Sequence, residues 1–188
     1  MPTESRPRIT PEEYLAHERR SDSKSEYRNG EILAMTGSNR KHNRIVLNAA
    51  LALYPHVRAR GFEVFANDMR VRVPGVDLYT YPDVVLVSGE PRFEDAEQDT
   101  LLNPVLVVEV LSPPTVDYDR GTKFTYYRML PSFVEYLVVA QDKVHVEHWV
   151  REAGRWVLTE TEDPAALLEL PSVGCSLALA SVYDRVFP

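Results

Sequence analysis

Two apolar runs stand out from the hydrophobic pattern: Val84-Val85-Leu86-Val87, and Val105 to Leu111. Each has the length of a strand buried on both faces. The elements around them follow from periodicity and punctuation. Thr10-Pro11-Glu12-Glu13 joins an N-cap threonine, a proline at the first helical position and a glutamate three residues after the cap, predicting a short helix. Asn29-Gly30 between two short runs predicts a type I′ hairpin that places Glu26 and Glu31 on paired strands. Ile45, Ala49, Leu53 and Val57 recur every four positions, so a long helix is expected over about 41–60, with Gly61 as its stop and Pro55 kinking it or ending it early. Strands follow over 62–66 and 69–73, the second alternating apolar residues with Arg70 and Arg72, whose face is expected to look outward.

The acidic stretch from Ser88 to Asn103 reads as a solvated loop. Ser112-Pro113-Pro114 ends the second apolar run, and a helix is expected from about Asp117 to Leu130. FVEYLVVA, KVHVEHWV and RWVLT then read as strands, and a short helix near 177–186 closes the pattern. The sum is an α+β arrangement, a mixed sheet flanked by helices.

Length and charge narrow the picture. A chain of 188 residues with 44% hydrophobic content can bury a full core, and one domain is expected over 1–188, its core at about 9–150 with a C-terminal appendage at about 151–188. The lone Cys175 cannot form an internal disulfide, no apolar stretch has the length of a membrane span, and MPTESRPRIT lacks the apolar centre of a signal peptide. A soluble, cytoplasmic chain with no membrane partner is therefore expected. A formal charge of −7 opposes broad electrostatic affinity for nucleic acid, so any such partner needs a local basic patch. Arg40, Lys41 and Arg44 around His42 make the strongest local group, with Arg70 and Arg72 as a second.

The candidate chemistry sits in the two apolar runs. Glu109 interrupts VLVVEVL, where an unpaired carboxylate is costly, and Asp83 heads the other run. Neighbouring strands lie about 5 Å apart, so the two acids can converge on a magnesium or manganese ion that shares its shell with phosphate oxygens. Lys123, one helical turn after Asp119, can point an ammonium into the same place. His145 and His148, three apart on a predicted strand, face opposite ways and are expected to be structural.

Taken together, Glu26-Tyr27-Arg28-Asn29-Gly30-Glu31, His42 at a helix start, Pro82-Asp83-Val84-Val85, Val108-Glu109-Val110-Leu111-Ser112, Asp119 with Lys123 and Tyr127, and Val134-Glu135-Tyr136 resemble the Uma-type restriction endonucleases of the PD-(D/E)xK nuclease superfamily. The resemblance runs from about Ile9 to Val150. It implies a restriction-endonuclease-like core, Asp83 and Glu109 as metal ligands, Lys123 as catalytic lysine, Glu26 as an accessory catalytic acid, and the Val110 carbonyl completing the metal shell. In the wider superfamily the lysine stands two residues after the second acid; here that position is Leu111, and the Uma-type pattern draws its lysine from the next helix. The acid that usually ends the EYW-valine-aspartate stretch is absent, since EYLVVA ends in Ala140.

The expectation is a magnesium- or manganese-dependent endonuclease that cuts nucleic acid, DNA first, with His42, Arg40, Lys41 and Arg44 as substrate contacts. Two alternatives stand beside it: a relative that binds nucleic acid without cutting it, and a homodimeric structural protein assembled through the C-terminal segment LLELPSVGCSLALASVYDRVF.

Overall fold

The computed structural model describes residues 8–35, 37–113 and 115–187. The first seven residues, on which part of the leader argument rests, and Pro114 of the proline stop lie outside that set. The chain opens with α1 (Pro11–Glu18), whose start carries the capping box formed by Thr10 and Glu13. Strands β1 (Ser25–Arg28) and β2 (Glu31–Ala34) form the hairpin, with Asn29 and Gly30 both at positive φ as a type I′ turn requires. Helix α2 (Arg40–Val57) is capped by the Asn39 side chain, which accepts from the His42 backbone N–H at 3.0 Å. It carries Pro55 inside its last turn and yields to a short 3₁₀ turn, stopped by Gly61 in the left-handed conformation.

Strands β3 (Phe62–Ala66), β4 (Arg70–Val73), β5 (Leu78–Thr80), β6 (Val84–Ser88), β7 (Thr100–Leu101) and β8 (Leu106–Leu111) come next. A π-helical turn (Tyr118–Lys123) runs into α3 (Phe124–Tyr127). Strands β9 (Glu135–Ala140), β10 (Val146–Glu152), β11 (Arg155–Thr161), β12 (Leu167–Leu170) and β13 (Cys175–Ala178) precede the closing α4 (Leu179–Val182).

A six-stranded sheet in the order β11-β10-β9-β8-β6-β3 forms the centre. Its β8–β9 pair is parallel and the others are antiparallel. One face packs on α2, where Ile45, Val46, Ala49 and Leu53 meet Val84, Leu86, Leu106 and Val108. The other face meets a five-stranded sheet, β2-β1-β5-β4-β7, through Val71, Val73, Leu78 and Leu101 against Val85, Val87 and Val107. Both motif strands are thus buried on both faces, which is why they read as continuous apolar runs. Helix α1 covers the outer side of the five-stranded sheet, stacking Tyr14 on Tyr27 and setting it at a tilt against Tyr79.

Several expectations need correction. Arg70 does not face outward: it is 3% exposed, with its guanidinium on Thr100, Tyr81 and Asp99, and Arg72 pairs with Glu94. The reason is the acidic stretch, which is no free loop. Asp95 and Asp99 bind Arg19 of the segment after α1, Glu94 also accepts from Tyr79, and the strap so formed lies over the arginine face of β4. The short closing helix expected near 177–186 is present as the single turn α4 at 179–182, and the β12–β13 hairpin precedes it. Leu170, Val173, Leu179, Val182 and Val186 of that segment are buried in the same core as α2, while Leu167 is exposed. The helix expected over 117–130 begins as a π turn and ends its regular part at Tyr127.

Candidate functional site

The two sheets meet at the end where β6 begins and β8 finishes. The β6–β8 register pairs Val84 with Val108, so one further step places Asp83 opposite Glu109. On the five-stranded sheet, Tyr27 pairs with Tyr79 and points toward α1, which turns the next residues, Glu26 and Thr80, inward. Thr80 donates its hydroxyl to Glu26 Oε1. The π turn supplies the third wall, with Asp119 and Lys123 both buried.

Lys123 is the hub. Its Nζ lies 2.9 Å from Glu109 Oε1, 3.3 Å from Glu26 Oε1 and 3.6 Å from Asp119 Oδ1. Asp83 Oδ2 accepts from the Val110 backbone N–H at 2.7 Å and lies 3.3 Å from His42 Nε2. Tyr127 donates its hydroxyl to Glu109 Oε1 at 3.0 Å, and Tyr136 holds the π turn through the Asp119 carbonyl at 3.0 Å. Glu26, Asp83, Glu109 and Lys123 are therefore brought together from four separate parts of the chain. Glu26, His42, Asp83, Val110, Asp119 and Lys123 line one cleft of about 600 Å³.

The electrostatics are those of a site short of positive charge. Burial pushes the Glu109 carboxyl well above the usual carboxylate range; the Lys123 ammonium opposes the rise, and the Asp119 and Asp83 carboxylates add to it. Burial by itself would lower the pKa of Lys123, but the carboxylates of Glu109 and Glu26 and the groups of Tyr127 and Asp119 together outweigh it, so the ammonium is held well above its ordinary value. Asp119 is also raised, by burial first.

The remaining candidates divide. His42 lines the cleft, whereas Arg40, Lys41 and Arg44 do not. Arg40 is exposed and reaches the Arg185 carbonyl, and Lys41 stands over the Phe187 ring on another wall. His148 is tied to the fully buried Glu135 at 2.6 Å, while His145 turns to Glu160 at 3.2 Å, in keeping with their separate faces. Two lining groups, Tyr118 and Gln141, and Thr80 behind Glu26 carried no signal of their own. Thr80 reaches the site only through a pairing 54 residues from its partner, Tyr118 through the π turn, and Gln141 by following the end of β9.

The fold defines the class: a mixed α+β protein with a restriction-endonuclease-like core. A solved structure described as a putative nuclease belonging to DUF820, from Anabaena variabilis, superposes with a TM-score of 0.75 and 19% identity, covering 95% of this chain and 99% of its own. Residues 11–180 match the Uma2 family, whose description is putative restriction endonuclease, and the chain belongs to that family. Two uncharacterized Synechocystis proteins are similar along most of their length. The protein sll1609 is 37% identical over 162 residues, 86% of this chain and 92% of the relative, and slr1290 is 35% identical over 178 residues, 94% and 92%. No helix among the described residues is long and apolar enough to cross a membrane.

Proposed function

We propose that the chain is a magnesium- or manganese-dependent endonuclease that hydrolyses phosphodiester bonds of nucleic acid, DNA first, in the cleft between the two sheets. The observation that carries this reading is the charge balance of the cleft: the carboxylates of Glu26, Glu109 and Asp119 gather on one ammonium, with Asp83 beside them. A dication relieves such an excess.

The donor set fits one. The bonds to Asp83 engage Oδ2 and those to Glu109 engage Oε1, which leaves Asp83 Oδ1, Glu109 Oε2 and the Val110 carbonyl as hard oxygen donors for the ion. When bound there, the ion supplies polarisation of a phosphate oxygen and promotes ionisation of a water. Lys123, fixed by its three carboxylates, presents N–H donors to charge that builds on the phosphate in the transition state. Glu26, held by Thr80, orients Lys123 as the accessory acid, and His42 sets the carboxylate plane of Asp83. A homodimer brings two such clefts to the two strands of a duplex.

The test is calorimetric titration of magnesium and manganese into the parent chain and Glu109→Ala, followed by plasmid cleavage. Saturable binding that disappears in Glu109→Ala, together with metal-dependent nicking, is expected. No binding to the parent chain, even with oligonucleotide present, removes the nuclease reading.

A further inference from the structure

A second cleft, of about 710 Å³, opens beside the carboxylate cleft and shares Asn39, Ser112, Pro113 and Gln141 with it. Its charged lining is mostly of the opposite sign: Lys41, Arg120 and Lys143 against the single acid Asp142, with the His145 imidazole beside them. In a chain whose formal charge is −7, this gathers three cationic side chains along one lining.

The acids that stand against these side chains lie outside the lining. Arg120 Nε lies 2.5 Å from Glu147, Lys143 Nζ 2.5 Å from Glu162 and His145 Nε2 3.2 Å from Glu160. The Lys143–Glu162 pair is exposed on both sides, so it contributes little and exchanges readily for another anion. Lys41 makes no ion pair among the described residues; its ammonium stands 5.1 Å from the centre of the Phe187 ring.

Where the clefts join, Gln141 gives an independent sign of a ligand. It is 7% exposed, and its carboxamide Oε1 is buried with no hydrogen-bond donor among the described residues. An acceptor left in that state costs about 1–3 kcal/mol, a cost that a donor from a bound molecule removes. Its position follows from the sheet: Ala140 pairs with Leu111 across the parallel β8–β9 ladder, so the residue after β9 emerges at the same end as Glu109 and Val110.

We infer that the second cleft holds the sugar–phosphate strand that runs on from the bond to be cut. Its phosphates lie along Lys41, Arg120 and Lys143, and one sugar or base donor bonds Gln141 Oε1. The inference rests on the phosphodiester reading of the first cleft for its direction, but strand binding tests it without any cutting.

The experiment is fluorescence anisotropy of short labelled single strands, DNA and RNA of one sequence, with the full chain in calcium over a range of salt. Lys41→Ala and Lys143→Ala are each expected to weaken binding about 3- to 10-fold and to lower the slope of log K against log salt by about 0.7, the loss of one phosphate contact to a single strand. Gln141→Ala is expected to weaken binding with the slope unchanged, and Arg155→Ala, at the far end of β10–β11, to change neither. A Gln141 effect confined to RNA identifies the donor as a 2′-hydroxyl; an equal effect on both strands identifies a donor they share. Parent-like slopes in both lysine variants, or no strand binding by the parent chain, overturn the inference. Binding that behaves as expected while the parent chain cuts nothing in magnesium or manganese leaves the second cleft in place and sinks only the nuclease reading.

Discussion

Lys123 Nζ and Glu109 Oε1 lie 2.9 Å apart at the centre of the protein, the lysine 4% and the glutamate 3% exposed. Neither charge is tolerable there without the other. Removing one partner of a buried pair leaves an uncompensated charge and costs about 3–5 kcal/mol, whereas replacing both can be close to neutral. Lys123→Met and Glu109→Gln are each expected to lower the thermal midpoint, and the double variant to lose less than the sum. Thermal unfolding of the four proteins measures the coupling; strict additivity means that the pair does not exist in solution.

Tyr127 donates to the same Glu109 oxygen. Tyr127→Phe removes a donor that favours the ionised carboxylate, so the Glu109 pKa, already raised by burial, rises further. At the proposed metal site a cation and a proton compete for that carboxylate. The pH at which half of the magnesium affinity is reached is therefore expected to move upward in Tyr127→Phe, with a loss of about 1 kcal/mol in stability. A pH profile that coincides with the parent's breaks the link between this hydroxyl and the site.

Glu135 is as buried as Glu109 but has a different task. It joins His148 at 2.6 Å to the backbone N–H and hydroxyl of Ser172, tying β9 and β10 to the turn after β12. Glu135→Ala is expected to cost about 3 kcal/mol, or roughly 6–12 °C in midpoint for a chain of this size, and to leave magnesium affinity at the parent's value. Calorimetry on the folded variant decides; weakened metal binding would make Glu135 part of the site.

The strap over β4 should be visible in acid. Asp99 is held far below the usual carboxylate range by hydrogen bonds from Arg19, burial opposing, with Thr100 and Arg70 adding to the depression. A depressed folded-state pKa gives stability that is fully present above the unfolded value of about 3.9 and is lost as pH falls through the folded one. Asp99→Asn is therefore expected to be less stable than the parent at neutral pH, with the gap narrowing below about pH 4. Denaturant midpoints at pH 7, 4 and 3 check this, and a constant gap excludes the mechanism.

How much of this was legible depended on the range of the interaction. Asp83 and Glu109 were readable because a fully buried strand announces itself as an unbroken apolar run, and a carboxylate inside one demands a partner. The Asn29-Gly30 turn and the Thr10 cap were readable because their chemistry is local. Arg70 was misread for the opposite reason: alternation shows that two faces differ, and the strap that covers the arginine face comes from Arg19 and Asp99, far away in sequence. The closing helix near the C-terminus was readable, but it is only one turn because the residues before it pair as β13 with β12. Thr80 and Gln141 are ordinary residues whose importance is conferred by strand register alone.

The π turn at Tyr118–Lys123 gives the molecule a point of mechanical leverage. A π turn is an α-helix carrying one surplus residue, and each residue of a helix advances the side chains by about 100°. Deleting Gly121 would let the segment relax to α, bring Lys123 to a three-residue spacing from Asp119 and change its reach toward Glu26 and Glu109. The reach of the lysine into the cleft thus rests on the winding of one turn, separate from the strand pairing that places the carboxylates.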